Sequence, residues 1–525
     1  MVLLLGLAGC AKPMLVPDAT TPQPVVDLPT SFSAIDSATV YDPLRWWTSY
    51  EDPALDRLID TVLAANFDLV EAVARVDEAR ARAATSQAGL LPSLNADGSV
   101  VHSDVPLNAG QFAAFGGGGP GGDQGGDPNA PAQDTGPDRI SFTTTSLSAA
   151  LQYEVDFWGR IRGEAKAAIG DVYASLADLH TARLTVLSQV VTTYFEVADL
   201  RQQIALTIES LSVLGDRLSV TEDRYQRGLV TSFELYQLRQ EFRSAQALLP
   251  QLERQHANAE SRLAVLAGLY PSQLDALIPE RPQPRLAEAA IPTGLPSELL
   301  IQRPDVRAAA YRFESARYRI GVARAQLFPT ISLGGSLGLQ SNEIADLFDP
   351  GQWVANLTAG LTAPLFQGGR LRANVDASEA AFRRLGAAYA RSVLTAYSEV
   401  ESAMAAHEEE RQRYALITDQ LAEARASLTL QLGRYERGVG TLTDYLDALR
   451  AEVNVRTQLA SAGRALALAR LDVHRALGGG WTDGGIQPSI ELVEGDVTTA
   501  QPLDDVTIRP AIPLLRIPDI ASTQD

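Results

Sequence analysis

The chain has almost no cysteine, little histidine and almost no lysine. Among 525 residues there is one cysteine, Cys10, so no internal disulfide and no thiolate metal cluster can form. The five histidines, His102, His180, His256, His407 and His474, are scattered, and none pairs with another at metal-ligand spacing. No serine or cysteine nucleophile motif is present, so neither a catalytic centre nor a cofactor or metal site is expected. Lysine occurs only at Lys12 and Lys166, and the net charge is −20. That balance repels a phosphate backbone and argues against nucleic acid as a partner. Long hydrophobic runs are missing too. The longer apolar-periodic stretches carry charges every few residues, far from the roughly 20 apolar residues a membrane-crossing helix needs.

The start of the chain is its most apolar part. "MVLLLGLAGCAKP" is too short to span a bilayer but fits the apolar core of a secretory signal. Leu7-Ala8-Gly9-Cys10 resembles the bacterial lipobox, in which cleavage precedes a cysteine that becomes lipidated. Residues 1–9 are therefore expected to be a signal peptide, with Cys10 the lipidation site and 10–45 a lipid-anchored segment. No basic segment precedes the apolar run, so the reading places the true start upstream. Ala11, rather than Asp, follows the cysteine, which in enteric bacteria permits sorting to the outer membrane.

Proline is absent from 138–249 and from 365–487. Each stretch surrounds a similar turn: "RYQRGLVTSFELYQL" at 224–238 and "RYERGVGTLTDYLDA" at 434–448. Arg, Tyr, Arg, Gly and Thr recur 210 residues apart. "GRIR" (159–162) and "GRLR" (369–372) share that offset, whereas Pro92 and Pro329, like Asp68 and Asp305, stand 237 apart. The difference is extra sequence in the first copy, and the Gly/Pro-rich 108–138 supplies it as a loop. The chain thus reads as two repeats, 46–278 and 279–480, followed by a tail, 481–525, that is equatorial or disordered. Each repeat reads helix, strand, loop, strand, then two helical arms of roughly 50 residues about the turn. Pro250, inside the second arm of the first repeat, is expected to kink it; Ala460 stands at the corresponding place in the second.

Four segments alternate apolar and polar residues with period two. They are 93–100, 147–157, 331–339 and 353–363, with Leu147, Leu151, Tyr153, Leu337, Trp353 and Leu357 among the apolar positions. About ten residues is the length a barrel strand needs to cross a bilayer, although a soluble half-buried sheet has the same alternation.

These features together resemble the TolC/OprM family of outer membrane factors, in its OprM-like or NodT-like lipoprotein branch. The similarity rests on "WWTSYEDPALDRLI" (46–59), "GLPSELLIQRPDVRAAAYRFESARYRIGVARAQLFPTISL" (294–333), "PLFQGGRLRANV" (364–375) and the second turn. It implies an α+β membrane protein and a homotrimer. Each protomer would give four strands to a 12-stranded β-barrel in the outer membrane and long helical hairpins to a periplasmic α-barrel. The function implied is the passive exit duct of a tripartite efflux system, with a periplasmic adaptor and an inner-membrane RND (resistance-nodulation-division) transporter as partners. The exit duct of a type I protein secretion system and a periplasmic coiled-coil scaffold remain the alternatives.

The turns then become the periplasmic entrance. Gly228 and Gly438 stand where a helix must stop and reverse. Asp444 and Asp447 share a helix face and, in a trimer, would form stacked acidic rings; the plainer reading is solvated charge at a helix N-terminus. Their first-repeat counterparts are Glu234 and Gln237. The resemblance gives Tyr435 a part in latching the closed aperture, with Glu234 as its partner. Where the family has an arginine in that latch, this chain has Gly440.

Overall fold

A computed structural model describes residues 43–106, 139–274, 277–278 and 303–479. Cys10, the 108–138 loop and the 481–525 tail lie outside them. In chain order, a 3-10 segment (Pro43–Tyr50) precedes α1 (Pro53–Ala65), α2 (Phe67–Ala88), β1 (Ser93–Pro106) and β2 (Arg139–Val155). Then come α3 (Arg160–Gln226), α4 (Ser232–Leu266), the single turn α5 (Pro271–Leu274) and α6 (Pro304–Ala325). The chain continues with β3 (Thr330–Ser341), β4 (Trp353–Thr362), α7 (Arg370–Glu436) and α8 (Leu442–Ala476). The described residues fall into two compact units, one containing Ala84–Ala165 and Tyr318–Glu379, the other drawn from the remaining helices. Both units take segments from each sequence repeat.

The first unit is built on an antiparallel sheet of order β1-β2-β3-β4. Its register turns the period-two patterns of four separate strands into two faces. Leu94, Leu151, Gly335 and Leu357 stand opposite one another across the sheet. Ala96, Ala149, Leu337 and Ala355 form the next row on that face, and Gly98, Leu147, Leu339 and Trp353 the one after. The intervening rows carry Asn95, Ala150, Ser336 and Asn356, or Ser93, Gln152, Gly334 and Thr358. Asn356 Nδ2 donates to Ser336 Oγ at 3.3 Å, and the Ser99 and Ser146 hydroxyls meet at 2.8 Å. A one-residue slip between any two strands would mix the faces. Where β2 gives way to α3, Gly159 takes a positive φ and the buried Asp156 carboxylate accepts from the backbone N–H groups of Ile161 (3.1 Å) and Arg162 (2.9 Å). The Trp158 indole donates to Pro329 O at 2.8 Å and stacks on Phe328 at 4.6 Å, tying the end of β2 to the start of β3.

The second unit is helical. The arms are unequal: α3 and α7 have 67 residues each, α4 and α8 have 35 each. At 1.5 Å per residue that is about 100 Å against about 50 Å, instead of two equal arms. The shorter arms end where a glycine of positive φ, Gly268 or Gly478, closes the helix. Pro250 does not divide α4, which runs unbroken through it and forfeits one backbone hydrogen bond. The main core joins Trp46, Trp47 and Tyr50 to α1, to Val190, Tyr194 and Phe195 of α3, and to Leu263 of α4 and Leu471 of α8. Tyr50 Oη donates to Ala467 O at 2.9 Å, and Tyr194 Oη to the Asp52 carboxylate at 2.6 Å.

His474, 1% exposed, is stacked on Trp46 with 5.4 Å between ring centroids. Burial, then the nearby Arg470 charge, lowers its pKa to about 3. The unfolded chain takes up this proton near pH 6.5 and the folded chain does not, so stability falls as pH drops below that value. His474→Phe removes this loss. The melting temperature of the variant, relative to the parent, should rise as pH is lowered from 7.5 to 5; a constant difference across that range would contradict the assignment.

Candidate functional site

The two turns have one construction. In the first, Gly228 has φ +74°, its N–H donates to Tyr225 O at 2.9 Å, and Leu229 N–H reaches back to Arg224 O at 2.9 Å. In the second, Gly438 has φ +72°, and the same bonds run to Tyr435 O and Arg434 O at 3.0 Å each. This pair of bonds satisfies the last carbonyls of α3 and α7, and only a residue without Cβ adopts such a φ freely. Thr231 and Thr441 then cap α4 and α8. The second cap is reciprocal: Asp444 N–H donates to Thr441 Oγ1 at 3.1 Å, while Thr441 N–H donates to the Asp444 carboxylate at 3.3 Å. Thr231 receives one bond of 3.4 Å, from Glu234 N–H. Gly440 has a steric reason. A Cβ there would stand 3.0 Å from Arg434 Cβ and 3.2 Å from Tyr435 N, so a side chain would have to push the end of α7 away.

Asp444 and Asp447 both lie on the exposed face of α8. They are not equivalent. The Thr441 hydrogen bonds hold the Asp444 carboxyl below its usual range, with the Arg434 charge adding to the effect. Asp447 is engaged by Arg450 Nη1 at 3.0 Å, and Arg450 Nε donates to Glu241 of α4 at 2.9 Å. The Tyr435 ring stacks on that of Tyr445, 6.0 Å away and nearly parallel, and Glu234 is half-buried in the first turn of α4.

Sequence reasoning did not find what fastens the two hairpins. Leu214, Leu238, Leu442, Tyr445, Leu446 and Leu449 form a buried cluster drawn from α3, α4 and α8. Arg217 of α3 donates to Glu436 of α7 at 2.9 Å and lies 5.7 Å over the Tyr445 ring. Arg456 of α8 donates to both carboxylate oxygens of Glu209 of α3, at 2.9 and 2.8 Å, which lowers the Glu209 pKa. Farther along, Arg464 stands 3.6 Å from the Asp199 carboxylate. Arg456 and Arg464 of α8 meet Glu209 and Asp199 of α3 in reversed order, as antiparallel helices require, while Arg217 pairs with α7. Near the turns the hairpins are thus fastened by one small apolar cluster and ion pairs; farther along, α3, α4 and α8 share the main core. Among the described residues no group of histidine, cysteine and carboxylate side chains could hold a metal ion, and no helix is long and apolar enough to cross a membrane.

The sequence profile of the outer membrane efflux protein family matches residues 58–269 and 295–479. The chain belongs to that family. It is 32% identical over 482 residues to the pyoverdine export outer membrane protein OpmQ of Pseudomonas putida, covering 91% of this chain and 96% of that one. It is 29% identical to the outer membrane protein OprJ of Pseudomonas aeruginosa, over 92% of this chain and 96% of that one. Its fold matches the open-state MtrE outer membrane channel of Neisseria gonorrhoeae with a TM-score of 0.73 at 26% identity, covering 89% of this chain and 98% of that one. Membership makes this chain an outer membrane efflux channel, and its relatives are channels rather than enzymes.

The reciprocal cap distinguishes the turns. Thr441→Ala should destabilise the first turn of α8 by about 1 kcal/mol. Hydrogen exchange at the Asp444 amide should then speed up by about fivefold, the equilibrium factor such an energy carries. Thr231→Ala should change exchange at the Glu234 amide less, since its single bond is longer. Equal effects at the two turns would show that the reciprocal bond contributes nothing.

Proposed function

We propose that this chain is the trimeric exit duct of a tripartite, RND-type efflux system, lipid-anchored through Cys10. The observation that carries the proposal is the pair of faces on the sheet. Leu94, Leu337, Trp353 and Leu357 are 69%, 62%, 65% and 90% exposed on one face, with hydroxyl and amide side chains on the other. Among the described residues no helix covers that apolar face, as one would in a soluble half-buried sheet. Hydrocarbon on one side and water on the other suit both faces. The sheet ends at β1 and β4, whose outer edges have no strand beside them among the described residues. In lipid an open edge is prohibitively costly, and four strands are too few to close around water. Two further copies, in a barrel of twelve strands, supply the closure.

In this reading the two repeats give each protomer two hairpins, and their turns form the periplasmic entrance. Leu229 and Val439, one residue beyond the turn glycines, are 69% and 65% exposed, which suits docking of an adaptor. Asp444 and Asp447 line the aperture, with Arg450 partly offsetting the second ring. The export role of OpmQ favours small molecules over secreted proteins as cargo.

Purified full-length protein in mild detergent should have the mass of three chains and form channels in planar bilayers. Asp444→Ala with Asp447→Ala should raise single-channel conductance; unchanged conductance would remove both residues from the constriction. Cys10→Ser should abolish palmitate incorporation while leaving the trimer intact, and persistent labelling would refute the anchor.

A further inference from the structure

We propose that Arg303 fixes the root of the α7–α8 hairpin by clamping three helices together, a hold the α3–α4 hairpin lacks at its own root. Each short arm meets, at its C-terminal end, the N-terminus of another helix. In the first such joint the buried Asn66 donates from Nδ2 to Leu266 O, the end of α4, at 2.8 Å. Its Oδ1 accepts from Leu69 N–H, in the first turn of α2, at 3.0 Å. One amide therefore closes α4 and opens α2. The second joint stands in register with it: Arg303 follows Asn66 by 237 residues and Ala476 follows Leu266 by 210, the two offsets that relate the sequence repeats. Arg303 Nη1 donates to Ala476 O, the end of α8, at 2.8 Å. Its Nε and Nη2 engage the Asp305 carboxylate in the first turn of α6, at 3.1 and 2.9 Å.

The joints differ in one respect. Arg303 Nη2 also donates to Glu399 of α7, at 2.6 Å. The residue 210 positions before Glu399 is Gln189, exposed on α3. In the first repeat the two register positions hold amides, Asn66 and Gln189; in the second they hold a guanidinium and a carboxylate bonded to each other. The Arg303 side chain is only 8% exposed, and Gly478, which ends α8, leaves it room: a Cβ there would lie 3.0 Å from Arg303 Cγ. A buried guanidinium with a fixed fork of donors holds its partners in one geometry. Asp305 keeps the charge paired if Glu399 is lost, so what is lost is the hold on α7. The first joint closes two helix ends. The second also holds the long arm α7, and through it the whole second hairpin.

The inference rests on the exit-duct reading for its consequence, the gating of an entrance, but not for the clamp itself. Its test compares Glu399→Gln and Arg303→Lys with Asn66→Ala in the full-length protein. Glu399→Gln keeps the shape and an acceptor, so it reports on the charge even if Arg303→Lys fails to fold. Hydrogen exchange over residues 430–446 should speed up by about tenfold in the clamp variants, within the range of coupling between distant sites. Residues 220–236, which share the Leu238–Tyr445 cluster with the second turn but not the clamp, should change less. In Asn66→Ala the 430–446 region should keep its parent rate. If both turns accelerate equally, or neither does while the melting temperature falls, Arg303 is a helix cap and the proposal is overturned. Bilayer recordings form a separate arm: clamp variants should spend more time open than the parent. A parent that conducts nothing would strike the exit-duct reading, while the exchange data would still decide the clamp.

Discussion

Backbone hydrogen bonding decides most of this architecture. A strand in hydrocarbon cannot leave its N–H and C=O groups unpaired, because no water is there to receive them. The sheet satisfies that demand internally from β1 to β4 and stops. Everything the proposed assembly requires follows from the two open edges: more copies, a closed wall, and side chains sorted by row into a greasy outside and a wet inside. The helices meet a gentler form of the same constraint. Each end exposes carbonyls or N–H groups that need partners. The chain answers with Schellman turns at Gly228 and Gly438, with a reciprocal cap at Thr441, and with Asn66 and Arg303, which each serve two helix ends.

The second constraint is how little apolar surface the hairpins share at the turns. The cluster around Leu238, Tyr445 and Leu446 is small, and most of the remaining links are ion pairs half open to water. Such pairs contribute little stability individually, on the order of 0–1 kcal/mol. They do set register: Arg217, Glu209 and Asp199 each find one partner along the second hairpin. An interface of this kind holds one arrangement without a large energetic commitment to it. The deep packing lies instead around Trp46, Tyr50, Tyr194 and Leu263.

What could be read in the sequence was what repeats at short range. The period-two segments mark all four strands, and ladder pairing carries the first two beyond the patterned residues: β1 reaches Pro106 and β2 starts at Arg139. The turn glycines and the threonines after them were legible because each acts on residues within five positions. The arm lengths were not, because the end of α4 depends on contact with Asn66, 200 residues earlier. The ion-pair ladder was hidden for the same reason. Arginine and glutamate fill every exposed helical face here, and nothing local tells Arg456, which holds Glu209 of another hairpin, from Arg411, which pairs within its own helix. The stacking of Tyr435 on Tyr445 was equally hidden, since ten residues and a turn separate them.

Repeats that fold alike isolate the places where they differ. α3 and α7 are equal in length, as are α4 and α8, and both turns use the same bonds, so backbone geometry cannot make the hairpins behave differently. Only side chains can. Three differences stand out: Pro250 against Ala460, the single against the reciprocal cap, and Asn66 with Gln189 against Arg303 with Glu399. The first removes a hydrogen bond from the first hairpin; the other two add bonds to the second. The second hairpin thus adds charged contacts at its root, and a reciprocal cap at its turn, to apolar packing at both ends. Packing is indifferent to small rotations of a helix, whereas a guanidinium bonded to three helices is not. The added contacts therefore fix how the second hairpin is turned on its base, a constraint the first hairpin lacks.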